Sequence, residues 1–246
     1  MARQRADQML VERGLVETRS RAQALIMAGV VYNGDRQVAK AGDLLPEDAH
    51  LILKGQDHPW VSRGGLKLAH GLETFGFDPS GRTAIDVGAS TGGFTDVLLT
   101  RGAARVYAVD VGHGQLAWKL RSDSRVVVME KCNARTLSAA LIPEAPGCVV
   151  CDASFIGLRT VLPAALALCA PGAWAIALIK PQFEAGREHV GAKGVVRDAS
   201  VHEAVCAAIT TWWSDLPGWR VTGVEPSPIL GPEGNREFLI GALYEG

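Results

Sequence analysis

AIDVGASTGGFTDVLL, residues 84–99, decides how the rest of the chain reads. An apolar run (Ala84, Ile85, Val87) ends in a glycine-rich turn, and an amphipathic segment opens directly after it. That order is strand, tight loop, helix. Gly88, Gly92 and Gly93 let the backbone approach a ligand closely, and the start of the helix offers unpaired N–H groups. A second apolar run, residues 106–109, ends in Asp110. An acidic residue about 20 positions past such a turn reaches a ribose hydroxyl in nucleotide-binding βαβ units. Together the two signals point to an adenosine-containing cofactor. The close-set glycines of the G-x-G-x-x-G fingerprint, which make room for a pyrophosphate, are missing. Asp86 stands at the strand end instead. A carboxylate there repels a pyrophosphate and suits the ammonium and sulfonium of S-adenosylmethionine. S-adenosylmethionine is therefore expected over NAD, with Asp86, Gly88, Gly92 and Asp110 at its site.

At 246 residues the chain suggests one large domain and a small one. Its net charge of −1 means that any nucleic-acid surface must be local. No apolar run approaches the length of a membrane span, and the polar N-terminus does not read as a signal peptide. Five cysteines, mostly within apolar runs, suit reduced thiols and a cytoplasmic location. Cys148 and Cys151 have C-x-x-C spacing, but they lie in an apolar strand, which sends positions i and i+3 to opposite faces. They read as buried core cysteines. No second pair exists for zinc and the six histidines are scattered, so no metal is expected.

Residues 6–13 and 20–28 have helical spacing, with Thr18 or Ser20 as the second cap and Gly14 and Gly29 as stops. Residues 30–32 and 37–38 read as a hairpin about Asn33-Gly34-Asp35, and residues 50–54 as a further strand. Arg3, Arg5, Arg13, Arg19, Arg21, Arg36 and Lys40 are only partly offset by Asp7, Glu12, Glu17 and Asp35; the acids gather after residue 42, leaving the first 40 residues locally basic. The helix–helix–hairpin pattern and TRSRAQALIMAGVVYNGD (residues 18–35) resemble an S4-type RNA-binding domain. That resemblance implies RNA contact through Arg3, Arg5, Arg19 and Arg21 of a small α+β domain, residues 1–58; a mildly basic helical cap is the plainer alternative. GQDHPW, residues 55–60, reads as a linker.

Beyond it, strands are expected at 83–87, 105–110, 126–130, 148–152, 174–180, 219–225 and 237–242. Helices are expected between them, including 158–170 and 199–213. This alternation predicts an α/β, Rossmann-like seven-stranded sheet over residues 61–246. The connection 226–234 is too short for a crossover helix, so the last strand is expected to run antiparallel.

Ligands in such sheets sit beyond the carboxyl ends of the strands, where Asp110, Asp152 and Lys180 fall. By themselves Asp152 and Lys180 are equally a salt bridge and a catalytic pair. VSRGGLKL (61–68), DVGASTGGFTDVLL (86–99), VDVGHGQL (109–116), CDASFIGL (151–158), LIKPQFEAG (178–186), GVVRD (194–198) and GNREF (234–238) occur in one order. In that combination the chain resembles the TlyA family, haemolysin A-like rRNA 2′-O-methyltransferases that join an S4 domain to an FtsJ-like methyltransferase domain. One departure is Gly157, where the family often carries Ser. The resemblance implies a catalytic tetrad of Lys67, Asp152, Lys180 and Glu237. It also implies cofactor contacts at Gly88, Ser90, Asp110 and Asn133, and a cytidine in ribosomal RNA or a ribosomal subunit as substrate. Asn133 equally suits a turn residue, and Phe183 suits either base stacking or the core.

The residue types fit that reaction. A ribose 2′-hydroxyl is a poor nucleophile and needs a positioned base, a role open to Lys180. Lys67 can hold the ribose or a phosphate, and Asp152 and Glu237 can orient the lysines. Two other functions are carried forward: a non-catalytic RNA-binding assembly factor, and the membrane-lytic protein that the haemolysin name suggests. The second calls for a strongly amphipathic or apolar segment, and none stands out.

Overall fold

Residues 3–53 bury a core of their own. The computed structural model of the chain describes residues 3–16, 18–27, 29–53, 58–191 and 194–246. It divides into two compact units, residues 1–59 and 60–246. In the first, β1 (Arg3–Arg5), α1 (Ala6–Glu12) and α2 (Arg19–Met27) precede β2 (Val31–Asn33), β3 (Arg36–Gln37), β4 (Leu44–Pro46) and β5 (Leu51–Leu53). Met9 and Leu10 of α1 pack with Ala22 and Ile26 of α2 against Val31, Val38 and Leu51. Thr18 caps α2, its Oγ1 accepting the Arg21 N–H at 3.2 Å. The hairpin about Gly34 forms as β2 and β3, and β5 pairs with the other edge of β2. β1 and β4 are additions: residues 3–5 and 44–46 pair antiparallel, which local apolar spacing did not announce. Residues 54–57, the last residue of the expected strand 50–54 and half of the expected linker, lie outside the described residues.

The second unit opens with α3 (Gly64–Phe75). There follow β6 (Thr83–Val87), α4 (Gly93–Thr100), β7 (Arg105–Val109), α5 (Trp118–Arg121), β8 (Val126–Met129), β9 (Cys148–Cys151), α6 (Leu158–Val161), α7 (Pro163–Leu166), β10 (Trp174–Ile179), α8 (Pro181–Glu184), α9 (Ala199–Ser214), β11 (Trp219–Pro226) and β12 (Phe238–Tyr244). The sheet order is β11-β12-β10-β9-β6-β7-β8. β12 lies between β10 and β11 and is antiparallel to both. The five strands β6 to β10 pair in parallel. This is a Rossmann-like, doubly wound architecture whose chain reverses direction across the sheet between β6 and β9.

Side-chain alternation divides the core. Ile85, Val87, Tyr107, Val109, Val149 and Cys151 face a cluster with α6, α7 and α9. Ala84, Val106, Ala108, Cys148 and Val150 face the opposite cluster with α3 and α4. Cys148 and Cys151 therefore lie on opposite sides of the sheet; both are free thiols that burial pushes up to about 12. The expected helix 158–170 is instead two single turns, broken where Pro163 brings a backbone without an N–H.

Candidate active site

Strand ends and register assemble the polar cluster. β7, β9 and β10 stop one residue before Asp110, Asp152 and Lys180. β12 runs the other way, and its first residue, Phe238, pairs with Ile179, the last of β10. That register carries Glu237 to the edge where Lys180 emerges. Lys67 enters from the first turns of α3, whose Gly71 packs on Ile176 and Leu239.

The four side chains form one chain of ion pairs. Lys67 Nζ lies 2.6 Å from Glu237 Oε2 and 3.7 Å from Asp152 Oδ2. Asp152 Oδ1 lies 2.6 Å from Lys180 Nζ. Lys180 Nζ also donates to the Asp152 carbonyl at 3.1 Å and to Ser154 Oγ at 2.9 Å. Lys67 and Lys180 are each 6% exposed and Glu237 2%. Burying so much charge is tolerable because every group has an opposite charge beside it, although Asp152 Oδ1 and Glu237 Oε1 lack a hydrogen-bond partner of good geometry. Lys67, Asp152, Ser154 and Lys180 line a cavity of about 350 Å³ with Ser62, Arg63 and Leu230. Asp152 serves both lysines and is the most open of the four, with a side chain 21% exposed.

A second cavity of about 400 Å³ shares Gly88, Ser90, Asp152 and Ser154 with the first. Asp110, Gly112, Gln115, Asn133 and Phe155 also line it. It opens where β6 and β9 diverge, and its volume lies in the usual range for a small-molecule site, roughly 300–1,000 Å³. Gly88 has φ +80°, and a Cβ there would fall 2.7 Å from the Ala153 Cα, so the two strand-end loops touch backbone to backbone. Asp110 Oδ2 accepts the Ser90 N–H at 2.8 Å and Oδ1 the Gly112 N–H at 2.7 Å. Its carboxylate holds the glycine turn closed against the next loop, and each oxygen keeps a lone pair for a ligand hydroxyl. An acid fixed in this way, with Asn133 across the cavity, suits the ribose and adenine of S-adenosylmethionine. Asn133 also caps the short turn 134–136, its Oδ1 accepting the Arg135 N–H at 3.1 Å, so it is a turn residue that lines the cavity.

Asp86 and Gly92 stand behind the turn, outside the lining of either cavity. Asp86 is fully buried and accepts the Thr95 hydroxyl at 2.7 Å, while its Oδ1 has no hydrogen-bond partner. Burial pushes its carboxyl up to about 7, and the nearby Asp152 adds to the rise. Gly92 makes room for Leu120 and Leu116. Ser154 is the partner of Lys180 that sequence reasoning missed; it sat inside the CDASF motif, but nothing in the spacing aimed it at residue 180. Phe155, 90% exposed with φ +65°, meets Phe183 with ring centroids 5.2 Å apart, which places Phe183 beside the cavity mouth. In the N-terminal unit Arg5 and Arg19 both bind the fully buried Asp7, at 3.0 and 2.8 Å, and Gln23 joins them at 2.9 Å. These contacts hold the Asp7 carboxyl far below the ordinary carboxylate range, the Arg5 hydrogen bonds contributing most. Arg3 is exposed and Arg21 half-buried.

The sheet, its strand-end cleft and the family match below are those of a Rossmann-like, S-adenosylmethionine-dependent methyltransferase. Residues 60–244 match the model of the FtsJ-like methyltransferases. Over 239 residues the chain is 46% identical to the 16S/23S rRNA (cytidine-2′-O)-methyltransferase TlyA of Mycobacterium tuberculosis, covering 97% of this chain and 89% of that one. It is 39% identical to Hemolysin A of Brachyspira hyodysenteriae over 237 residues, 96% of this chain and 98% of that one. A solved structure from Streptococcus thermophilus, described as a candidate hemolysin, superposes with a TM-score of 0.78 at 44% identity, covering 99% of this chain and 89% of that one. The chain belongs to the TlyA family within the FtsJ-like methyltransferases.

Proposed function

We propose that the chain methylates the 2′-hydroxyl of a cytidine in ribosomal RNA, with Lys67, Asp152, Lys180 and Glu237 as its catalytic tetrad. The observation that carries this reading is the ion-pair chain Glu237–Lys67–Asp152–Lys180 in the wall of a cavity that shares Gly88 and Ser90 with the cofactor cleft. S-adenosylmethionine, when bound, supplies an electrophilic methyl group on a sulfonium. Gly88, Ser90, Asp110 and Asn133 hold it. Lys180 receives the hydroxyl proton at Nζ. The Ser154 hydroxyl both donates and accepts, so it keeps Nζ aimed in either protonation state. Asp152 orients both lysines, and Glu237 fixes Lys67 as the cation that holds the ribose or its phosphate. Holding hydroxyl and methyl in line supplies much of the acceleration.

The N-terminal unit acts as an S4-type RNA-binding domain, residues 1–58, joined through 55–60 to the methyltransferase domain, 61–246. Its two helices, hairpin and arginines support that role. The substrate is ribosomal RNA or a ribosomal subunit in the cytoplasm. No helix among the described residues is long and apolar enough to cross a membrane, and no metal-binding group is found among them. Incubating the protein with methyl-labelled S-adenosylmethionine and purified subunits, then mapping label to the ribose, tests the proposal. Label on a cytidine 2′-oxygen is expected. Binding to rRNA without transfer would leave an assembly factor, and lysis of cells without transfer would leave a haemolysin.

A further inference from the structure

Asp96 is 4% exposed and belongs to neither the tetrad nor the cavity walls. It sits in the first turn of α4, the helix that opens from the glycine turn, where a carboxylate also complements the helix dipole. Its Oδ2 accepts the backbone N–H of Val61 at 2.8 Å, and its Oδ1 pairs with Lys119 of α5 at 3.0 Å. Val61 opens the stretch that leads into α3. Ser62 and Arg63, next along, line the substrate cavity, and Lys67 follows within two turns. The stretch is pressed closely on α4, where Gly93 faces the Ser62 hydroxyl and the Gly65 backbone; within the stretch, Gly65 faces the Trp60 ring. A Cβ at either glycine would collide with those groups.

Two walls of the site, and the helix α5 that backs the glycine turn, therefore meet at one buried carboxylate. α4 carries the cofactor turn, residues 61–67 carry Ser62, Arg63 and Lys67, and α5 carries Leu120, which packs on Gly92. We propose that Asp96 is a positioning residue: by accepting the Val61 N–H it latches the segment leading to Lys67 onto the cofactor turn, so that cofactor binding and the placement of Lys67 are set together. The carboxylate gives the part-buried Val61 N–H a charge-assisted hydrogen bond, which neutral packing does not supply. Lys119 neutralises the carboxylate from the solvent side, its side chain being 57% exposed, and is not needed for the latch. The inference rests on the cofactor and tetrad readings given above.

The test uses the full-length protein and measures S-adenosylmethionine affinity by calorimetry and rRNA methylation by label transfer. Asp96→Ala is expected to weaken cofactor binding by about tenfold or more, the scale of one lost charge-assisted hydrogen bond, and to lower kcat as well. Asp96→Asn keeps an acceptor for the Val61 N–H and should stay within about threefold of the parent, as should Lys119→Met. Rescue by Asn separates the latch from the ion pair. Amide exchange in the unsubstituted protein gives a reading that no folding defect can spoil: Val61 should be protected, and S-adenosylhomocysteine should slow it further. Parent-like binding and turnover in Asp96→Ala, an Asp96→Asn protein as weak as Asp96→Ala, or a Val61 amide that exchanges freely would each overturn the proposal. Failure of the unsubstituted protein to bind S-adenosylmethionine would instead overturn the cofactor reading.

Discussion

Lys180 is the residue at which two explanations of the same contacts part. Its Nζ has three acceptors within reach: Asp152 Oδ1, the Asp152 carbonyl and Ser154 Oγ. A salt bridge explains the first; a positioned base explains why Ser154, a group that can reverse its hydrogen bond, completes the set. As the base, Lys180→Ala should lose about 10²–10⁴-fold in turnover with cofactor and RNA affinity held within a few fold. Lys180→Arg should not recover it, because a guanidinium stays protonated and cannot take up a proton. A purely structural pair would behave in the opposite way, with a lowered melting temperature, partial rescue by Arg and activity that tracks the folded fraction. Single-turnover methylation beside a thermal melt separates the two, and a well-folded Lys180→Arg enzyme with near-native turnover would end the base assignment. Sequence motifs brought Lys67, Asp152, Lys180 and Glu237 into view, but spacing alone left Lys180 balanced between the two readings. Ser154 and Asp96 stayed out of view because their roles depend on partners 26 and 35 positions away in the chain.

At the scale of elements, the strands were legible because each is an apolar run whose alternate side chains enter opposite cores. What was not legible depended on pairing at a distance. β1 and β4 are three residues each and owe their existence to one another. The insertion of β12 between β10 and β11 follows from sheet assembly; local pattern carries only its reversal. The break at Pro163 could be foreseen, but the apolar run around it masked the missing donor. The junction of β6 with α4 carries its own consequence. Asp86, on the strand, and Thr95, on the helix, are tied by a buried hydrogen bond, with the carboxyl pushed up to about 7 by burial. In the unfolded chain the same carboxyl titrates near 3.9, so between about pH 4 and 7 the folded state holds a proton that the unfolded state releases. This group's contribution to stability therefore falls as pH rises through that interval, by on the order of a few kcal/mol. Asp86→Asn keeps an acceptor for Thr95 and cannot ionise. In cofactor-free protein it should melt above the parent at pH 8 and converge with it near pH 4. Melting curves that stay parallel across that range would show that Asp86 does not carry the proton.

At the scale of the whole molecule, each unit has its own core, and the proposed tetrad and both cavities it adjoins lie within residues 60–246. The first 40 residues carry a local excess of basic side chains, but the structure changes how their arginines should be weighed. Arg5 and Arg19 share a buried carboxylate with Gln23, so a count of arginines in the sequence overstates the charge available to phosphates. Removing residues 1–59 should leave S-adenosylmethionine affinity nearly intact, because Gly88, Ser90, Asp110 and Asn133 remain. It should abolish rRNA methylation if the first unit supplies the grip on RNA. In the intact protein, rRNA affinity should fall steeply with salt, since each neutralised phosphate releases counterions and log K falls by about 0.7–0.9 per contact for each decade of salt. Arg3→Ala and Arg21→Ala should each reduce that slope by about one contact if they bind phosphates. Arg5→Ala and Arg19→Ala should destabilise the first unit as well, because either change strips a partner from the buried Asp7. Full methylation by the chain that starts at Trp60, or a salt-independent affinity in the intact protein, would move RNA recognition onto the methyltransferase domain. The arginines about Asp7 would then serve the fold of the first unit alone.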